Sequence, residues 1–343
     1  MRLSLRNPLL TPGQIAASPS QRRGLPAELE SDMRAYGCHL VQAAGTVLRL
    51  PQPVMASAQV LLQRFYYVAA LQDFPLLATV LGALFLACKV EESPQTIRNI
   101  INVLDIVVKR DRGLPEIVTD GYDTEYYGMK NDMVIAELQI LRRLGFNVQV
   151  ELPYGLLVNY LRSLELTDQQ RVPQLAWNYL NDLLRTPVYL CFQPETIACG
   201  AIYLAAHECR VCLPTSPPWW SLFDANGEDV VMVAKATRAF YLRALPRVMP
   251  LTDDELQMQL AGTLDRHIEA ARIAMHSKAR GDDDEAGGEA AGKRDSRPAT
   301  GHGSVDEVLK RASPAPKRGS AGARSPSPDR SRRSRRLPAA GSG

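Results

Sequence analysis

One internal repeat constrains this 343-residue sequence more than any other feature. A segment of small and aliphatic residues, 82–89 (GALFLACK), returns 118 residues later with the same character at 200–207 (GAIYLAAH). Four apolar residues in an earlier segment also have apolar counterparts 118 residues later. Val54, Ala58, Leu62 and Phe65 correspond to Val172, Ala176, Leu180 and Leu183. Two successive segments repeating together indicate two copies of one structural unit.

The spacing of apolar residues predicts that both copies are helical. Apolar residues recur at intervals of three and four, for example at Val134, Leu138, Leu141 and Leu144, and no alternation of period two is long enough for a sheet. Segments 82–89 and 200–207 are apolar on nearly every side, which is typical of a helix surrounded by others. We therefore predict an all-α fold, a tandem of two five-helix bundles, each built around one central helix.

Proline and glycine positions give the expected boundaries. The first bundle is expected over residues 26–150, with helices at 32–46, 54–70, 76–91, 94–107 and 130–145. The second is expected over residues 151–250, with helices at 153–164, 172–185, 194–209, 217–223 and 228–245. Residues 1–25 are expected to be irregular, and residues 109–128 to form a long loop. The sequence of residues 251–276 is compatible with a helical extension, and residues 277–343 are expected to form a disordered tail.

Charge divides the chain into an acidic body and a basic tail. Residues 277–343 contain 15 Lys plus Arg against 9 Asp plus Glu, whereas residues 1–276 contain 25 against 28. A body without a basic surplus is not typical of a nucleic-acid-binding domain, so RNA contact, if present, is expected in the tail. The tail ends in an Arg/Ser region at 324–336 and has Ser-Pro steps at Ser313, Ser325 and Ser327, which are candidates for phosphorylation. A purely solubilising or nuclear-import tail remains the alternative.

The sequence argues against several classes of protein. It lacks a phosphate-binding GxxxxGK[ST] loop and kinase signatures, and nothing marks a nucleophile with a base, so neither catalysis nor a cofactor is expected. Cys209 and Cys212 form a CxxC beside His207, but no further ligands have a common zinc spacing, so no metal site is expected. No apolar run reaches 18 residues, so no membrane span is expected, and the six cysteines suit a reducing compartment.

Charged residues at two places in the first copy suggest a binding surface. Lys89, Glu91 and Glu92 close the central helix, where the helix dipole favours the lysine and disfavours the two acids. Glu137 is a charged residue within an otherwise apolar helix. On helix geometry alone, stabilisation of the helix end for Lys89 and a solvated face for Glu137 are favoured over a binding function.

The motifs of the two copies together resemble the paired cyclin boxes of the cyclin family. The first copy carries GALFLACKVEE at 82–92 and AELQILRRLGF at 136–146. The second carries AWNYLNDLLRT at 176–186 and FQPETIA at 192–198, which are similar to the L-type cyclins, as are YGC at 36–38 and LRLP at 48–51. The likeness covers about residues 18–248.

The resemblance implies a non-catalytic regulatory subunit that binds and activates a cyclin-dependent kinase. By similarity, Lys89 donates to carbonyls of the kinase's mobile helix, and Glu137 accepts from groups beside it. Glu91 and Glu92 belong to the same implied surface, with apolar surroundings at Phe85, Ile97, Ile101 and Leu141. The L-type likeness further implies a kinase of the PITSLRE-like group, RNA polymerase II transcription, pre-mRNA splicing, splicing-factor partners and a nuclear location, including nuclear speckles.

Two features depart from the family pattern, and two other functions remain open. Residues 32–50 lack the hydrophobic docking motif of the cell-cycle cyclins, and the Arg/Ser region is shorter than in most L-type cyclins. Cyclin-box pairs also resemble general-transcription adaptors that bridge promoter DNA and polymerase, but those have a basic body and usually a zinc ribbon. A splicing scaffold that does not activate a kinase is the other alternative.

Overall fold

The protein is described by a computed structural model over residues 6–117, 124–169, 171–244, 246, 248–252 and 254–255. All regular structure in these ranges is helical, which confirms the all-α prediction. None of the helices described there is both long and apolar enough to cross a bilayer. Most of the predicted extension 251–276 and all of the tail 277–343, with Ser313, Ser325 and Ser327, lie outside the described residues.

The first bundle surrounds its third long helix, as the repeat predicts. Two short helices precede it, α1 (Pro12–Ala16) and α2 (Pro19–Arg22), and its own helices are α3 (Ala27–Val47), α4 (Gln52–Tyr66), α5 (Leu76–Val90), α6 (Ile97–Asp111) and α7 (Thr124–Arg143). Helix α5 contacts α3, α4, α6 and α7. Its nearly continuous apolar sequence is therefore required, because each face of the helix meets a neighbour.

The second bundle has the same plan around its own small-residue helix. Its helices are α8 (Tyr154–Ser163), α9 (Arg171–Leu183), α10 (Val188–Cys191), α11 (Pro194–Cys209), a 3₁₀ helix (Trp219–Phe223) and α12 (Gly227–Leu242). Helix α11 contacts α8, α9 and α12. The helix predicted at 217–223 is thus a short 3₁₀ turn, which starts after Pro218 and ends at Asp224 in a left-handed conformation with φ of 54°.

The loop predicted at 109–128 is shorter than expected, because α7 begins at Thr124 rather than at residue 130. Tyr126 and Met133 are buried in the first core, and Met129 packs against it, so the helical spacing of core contacts already starts before Gly128. Glycine and tyrosine suggested a loop there, but tertiary packing overrides the weak helix propensity of a single glycine.

The segment expected to be irregular, 1–25, contains the helices α1 and α2. Each has a hydroxyl N-cap, Thr11 or Ser18, that accepts a hydrogen bond from a backbone N–H in the first turn, followed by proline at the first helical position. This combination starts a helix even in a short segment, since it satisfies one free N–H and fixes the entry angle. The sequence analysis overlooked this cap pattern.

A single glycine near the middle of each central helix allows its closest contact. A Cβ placed on Gly82 would lie 2.7 Å from the backbone nitrogen of Glu137 and 2.8 Å from the Cβ of Ala136, both on α7. At the equivalent position of the repeat, a Cβ on Gly200 would lie 2.5 Å from Cγ1 of Val233 on α12. The repeat therefore preserves the same helix crossing in both bundles.

This contact predicts opposite effects of alanine at two glycines. Gly82→Ala should destabilise the fold by about 1–3 kcal/mol, because the methyl group collides with the backbone of α7. Gly128→Ala, the matched control in α7, should stabilise it by about 0.5–1 kcal/mol, because a Cβ there meets nothing within 4 Å and alanine is the better helix former. Urea unfolding measures both; equal effects of the two substitutions would contradict the packing argument.

Candidate protein-binding surface

The surface begins with an ion pair between the last turn of α5 and the middle of α7. The Nζ atom of Lys89 lies 2.6 Å from Oε1 of Glu137. The lysine side chain is 50% exposed and the glutamate side chain 13% exposed, so the pair sits at the edge of the bundle with the ammonium towards solvent. The two residues that the sequence singled out separately therefore lie together.

The α5–α7 crossing explains why these side chains meet. Gly82 brings the backbone at Glu137 against α5, and Lys89 lies seven residues, about two helical turns, further along α5. A larger residue at 82 would push α7 away from α5. The position of the carboxylate thus depends on the same glycine that the internal repeat preserves.

Phe85 holds the ammonium group from a second side. The Nζ atom of Lys89 lies 3.9 Å from the centroid of the Phe85 ring, within the range of a cation–π interaction. Lys89 and Phe85 are four residues apart and so share one face of α5. The ring and the Glu137 carboxylate together restrict the otherwise flexible lysine side chain.

The two acids after Lys89 differ in their surroundings. Glu91, the C-cap of α5, accepts a 2.6 Å hydrogen bond at Oε1 from the hydroxyl of Ser57 on α4. This bond accounts for an acid where the helix dipole disfavours one. Glu92 is exposed and adopts a left-handed conformation with φ of 49°. Of this acidic pair, Glu92 is the more accessible to a partner.

The apolar residues predicted for this surface do not all reach it. Phe85, Ile97 and Leu141 are half-buried and pack against the first core with part of their surface accessible. Ile101 has no exposed surface, so including it in the binding surface was wrong. It lies on the inner face of the amphipathic helix α6, where its side chain fills the core.

The first half of the apolar stripe of α7 faces outward rather than into the core. Val134 and Leu138 are 46% and 42% exposed, whereas the buried face of the helix is formed by Met133, Ala136 and Ile140. Val134 precedes Glu137 by three residues, so it shares the glutamate's side of the helix. The first two residues of the predicted stripe are thus part of the exposed surface, whereas Leu141 and Leu144 pack against the first core.

Phe146 is a further exposed residue that the sequence analysis did not predict. It is 68% exposed, has a φ of 61°, and donates its backbone N–H to the carbonyl of Leu141. The left-handed turn after α7 places the ring outside the bundle. The glycine just after the helix signalled the turn, but an apolar residue after such a glycine often packs back on the helix, so the exposure of the ring could not be predicted.

Burial shifts the pKa values of two cysteines and one histidine in the first bundle. Burial raises the pKa of the Cys88 thiol, next to Lys89, to about 11, and that of Cys38 to about 12. Burial also lowers the pKa of His39, and the neighbouring Asp111 only partly opposes this. Within the described ranges, no three His, Cys, Asp or Glu side chains are grouped to hold a metal ion.

Comparison with known proteins shows which family the chain resembles. Residues 17–149 match the cyclin N-terminal domain. The chain is 40% identical to human cyclin-L2 over 242 residues, which cover 70% of this chain and 46% of that protein. It is 37% identical to cyclin-L1 of Danio rerio over 284 residues, 81% of this chain and 54% of that protein. The chain thus spans about half the length of the curated relatives it matches.

Solved structures share the fold at lower sequence identity. A chain of the yeast RNA polymerase II CTD kinase CTDK-1 complex has a TM-score of 0.59 and 17% identity, covering 76% of this chain and 85% of that chain. A chain of the CAK complex of Chaetomium thermophilum bound to ATP-γ-S has a TM-score of 0.50 and 17% identity, covering 83% and 95%. The sequence matches and the tandem of helical bundles lead to the same conclusion: residues 17–149 match a cyclin N-terminal domain, and over 70–81% of its length the chain is similar to the L-type cyclins.

Proposed function

We propose that this chain is a non-catalytic regulatory subunit that binds a cyclin-dependent kinase and switches it on. The observation that carries the proposal is the pair of Lys89 and Glu137 at the edge of the bundle, with accessible apolar side chains on the same two helices. Specific protein interfaces commonly combine an apolar centre with a few oriented charges. The match to the cyclin N-terminal domain supports this use of the surface.

Activation by such a surface acts through the conformation of the kinase. A kinase is active only when a lysine on strand β3 pairs with a glutamate on its αC helix. A partner that binds αC in the active position shifts the population towards that position, and the binding free energy drives the shift. Lys89 provides N–H donors for carbonyls at the end of αC, and Glu137 provides an acceptor for groups beside it.

In the free chain these two side chains pair with each other, so both are already oriented before binding. An exposed ion pair contributes only about 0–1 kcal/mol, because water screens it. Opening it to bind backbone groups of a partner therefore costs little. Once the interface excludes water, the new charge-assisted hydrogen bonds become stronger than the pair they replace.

The wider role follows from likeness to the L-type cyclins. We infer that the chain acts in the nucleus, in RNA polymerase II transcription and pre-mRNA splicing, with a kinase of the PITSLRE-like group. The Arg/Ser region 324–336 supports contact with splicing factors or RNA and accumulation in nuclear speckles, since it alternates cations with hydroxyls that can be phosphorylated.

Alanine at the ion pair should weaken kinase activation without unfolding the chain. Lys89→Ala and Glu137→Ala should each lower kinase affinity by about 2–5 kcal/mol, because each leaves a desolvated partner group without its hydrogen bond. Lys130→Ala, which removes an exposed lysine on the same helix as Glu137, is the matched control. Titration of purified kinase with each variant measures the half-saturation point; an unchanged value for both pair variants would contradict the assignment.

Phe146 provides a test of the apolar part of the surface. Phe146→Ala should leave the unfolding midpoint nearly unchanged, because the ring is 68% exposed, yet weaken kinase binding by about 2 kcal/mol or more. Leu222→Ala is a matched control, since Leu222 is 73% exposed in the second bundle. Calorimetry with purified kinase measures both affinities, and equal losses would exclude a specific role of Phe146.

The tail can be tested separately from the body. Deleting residues 313–343 should abolish enrichment at splicing sites while leaving kinase activation in vitro unchanged, because the Arg/Ser region and its three Ser-Pro steps lie in this segment. A triple Ser313→Ala, Ser325→Ala and Ser327→Ala variant separates phosphorylation from the basic charge. Fluorescence microscopy of tagged chains provides the readout; unchanged enrichment after the deletion would remove the tail from the proposed function.

A further inference from the structure

Within the part of the chain that the structure describes, Arg64 on α4 is a buried cation without a carboxylate partner. Only 5% of its surface is exposed. Its Nη1 donates to the carbonyl of Gln149 at 3.2 Å and its Nη2 to Oδ1 of Asn7 at 3.1 Å, both neutral acceptors. Its Nε has no hydrogen-bond partner within the described part of the chain. The guanidinium charge is thus not neutralised by the protein around it.

Such an arrangement is energetically costly. Removing a cation from water without a counter-ion costs several kcal/mol even after relaxation. Burial accordingly lowers the pKa of Arg64 to about 10, which still leaves the group charged at neutral pH. Other arginines have acidic partners: Arg23 pairs with Asp73, Arg110 with Glu116 and Arg243 with Asp32.

Arg64 lines a cleft that contains a second guanidinium group. The cleft has a volume of about 190 Å³ and lies between the N-terminal segment, α4 and the end of α7. Its polar lining consists of Arg64, Arg143, Gln14 and Asn147, and none of the residues described around it carries a carboxylate. Arg143 lies 4.9 Å from the ring centroid of Phe74, and within the described ranges it has no acidic partner.

The remaining walls define what else the cleft can hold. Leu9, Val68 and Leu144 are among its apolar lining residues. Gln14 uses its Oε1 to accept from the backbone N–H and the hydroxyl of Thr11, which leaves its amide nitrogen available as a donor. The volume equals about six water molecules at roughly 30 Å³ each, enough for an anionic group with its carbon stem.

We propose that this cleft, the Arg64 cleft, binds an acidic segment of a partner protein, inserting one carboxylate or phosphoryl side chain flanked by an apolar residue. Arg143 and the amide nitrogen of Gln14 supply donors, the buried charge of Arg64 adds a positive potential, and no described lining residue carries a carboxylate, so the charge complementarity favours an oxyanion. The apolar walls favour a peptide over a free inorganic anion, because they gain from burying the neighbouring side chain. This binding goes beyond kinase activation and needs no kinase.

The test uses three fluorescent peptides that differ at one position between two leucines: serine, glutamate or phosphoserine. Fluorescence anisotropy with the full chain should show at least one anionic peptide binding about tenfold or more tighter than the serine peptide. A preference for phosphoserine identifies a phosphorylated segment as the source of the anion, and a preference for glutamate identifies an acidic one. Equal affinities for all three peptides overturn the proposal.

Variants at α7 locate the binding. Arg143→Ala should weaken binding of the anionic peptide by about tenfold and leave the unfolding midpoint of the chain unchanged. Arg142→Ala, which removes the adjacent exposed arginine outside the cleft lining, is the matched control and should have little effect. Arg64→Ala also disrupts the bonds to Asn7 and Gln149, so Arg143→Ala decides the outcome. Equal losses from Arg142→Ala and Arg143→Ala would mean general charge attraction and would overturn the proposal.

Discussion

The contact between the central helix and the last helix of each bundle organises the molecule. A glycine on each central helix, Gly82 or Gly200, removes the one Cβ that would separate the two backbones. The close approach lets the surrounding helices bury the central helix on all sides, which its apolar sequence requires. In the first bundle the same contact sets the position of Glu137 relative to Lys89. A requirement of packing therefore also fixes the geometry of the proposed binding surface.

Much of the fold could be predicted from sequence because helices that pack against other helices carry apolar residues at regular intervals. The repeat of Gly82 at Gly200 predicted two bundles and their central helices, and both are present. The start of α7 could not be predicted, because its first turn is stabilised by tertiary contacts of Tyr126 and Met129 rather than by local propensity. Likewise, periodicity shows that α7 has an apolar stripe but not which way it faces. Only the structure shows that Val134 and Leu138 point outward.

The N-terminal segment was the least predictable part, although it contacts both bundles. Asn7 accepts from Arg64 of the first bundle and from the backbone N–H of Glu151 between the bundles, and Gln193 of the second bundle donates to its carbonyl. Leu10 adds a backbone bond to Leu190. Such contacts join single polar residues far apart in sequence and leave no periodic pattern. The candidate site shows the same limit: Lys89 and Glu137 could be singled out, but their pairing needed coordinates.

The two charged sites differ in how deeply their cations are buried and in which groups surround them. Lys89 is half exposed and has both a carboxylate and an aromatic ring, so its ion pair is weak, screened and easily exchanged for a partner's backbone groups. Arg64 is buried and, among the described residues, has only neutral acceptors, so its charge is held in place at a desolvation cost. A cation that is half exposed and already oriented suits a surface that must release one partner to bind another. A fixed and uncompensated one suits a site whose missing charge arrives with the ligand.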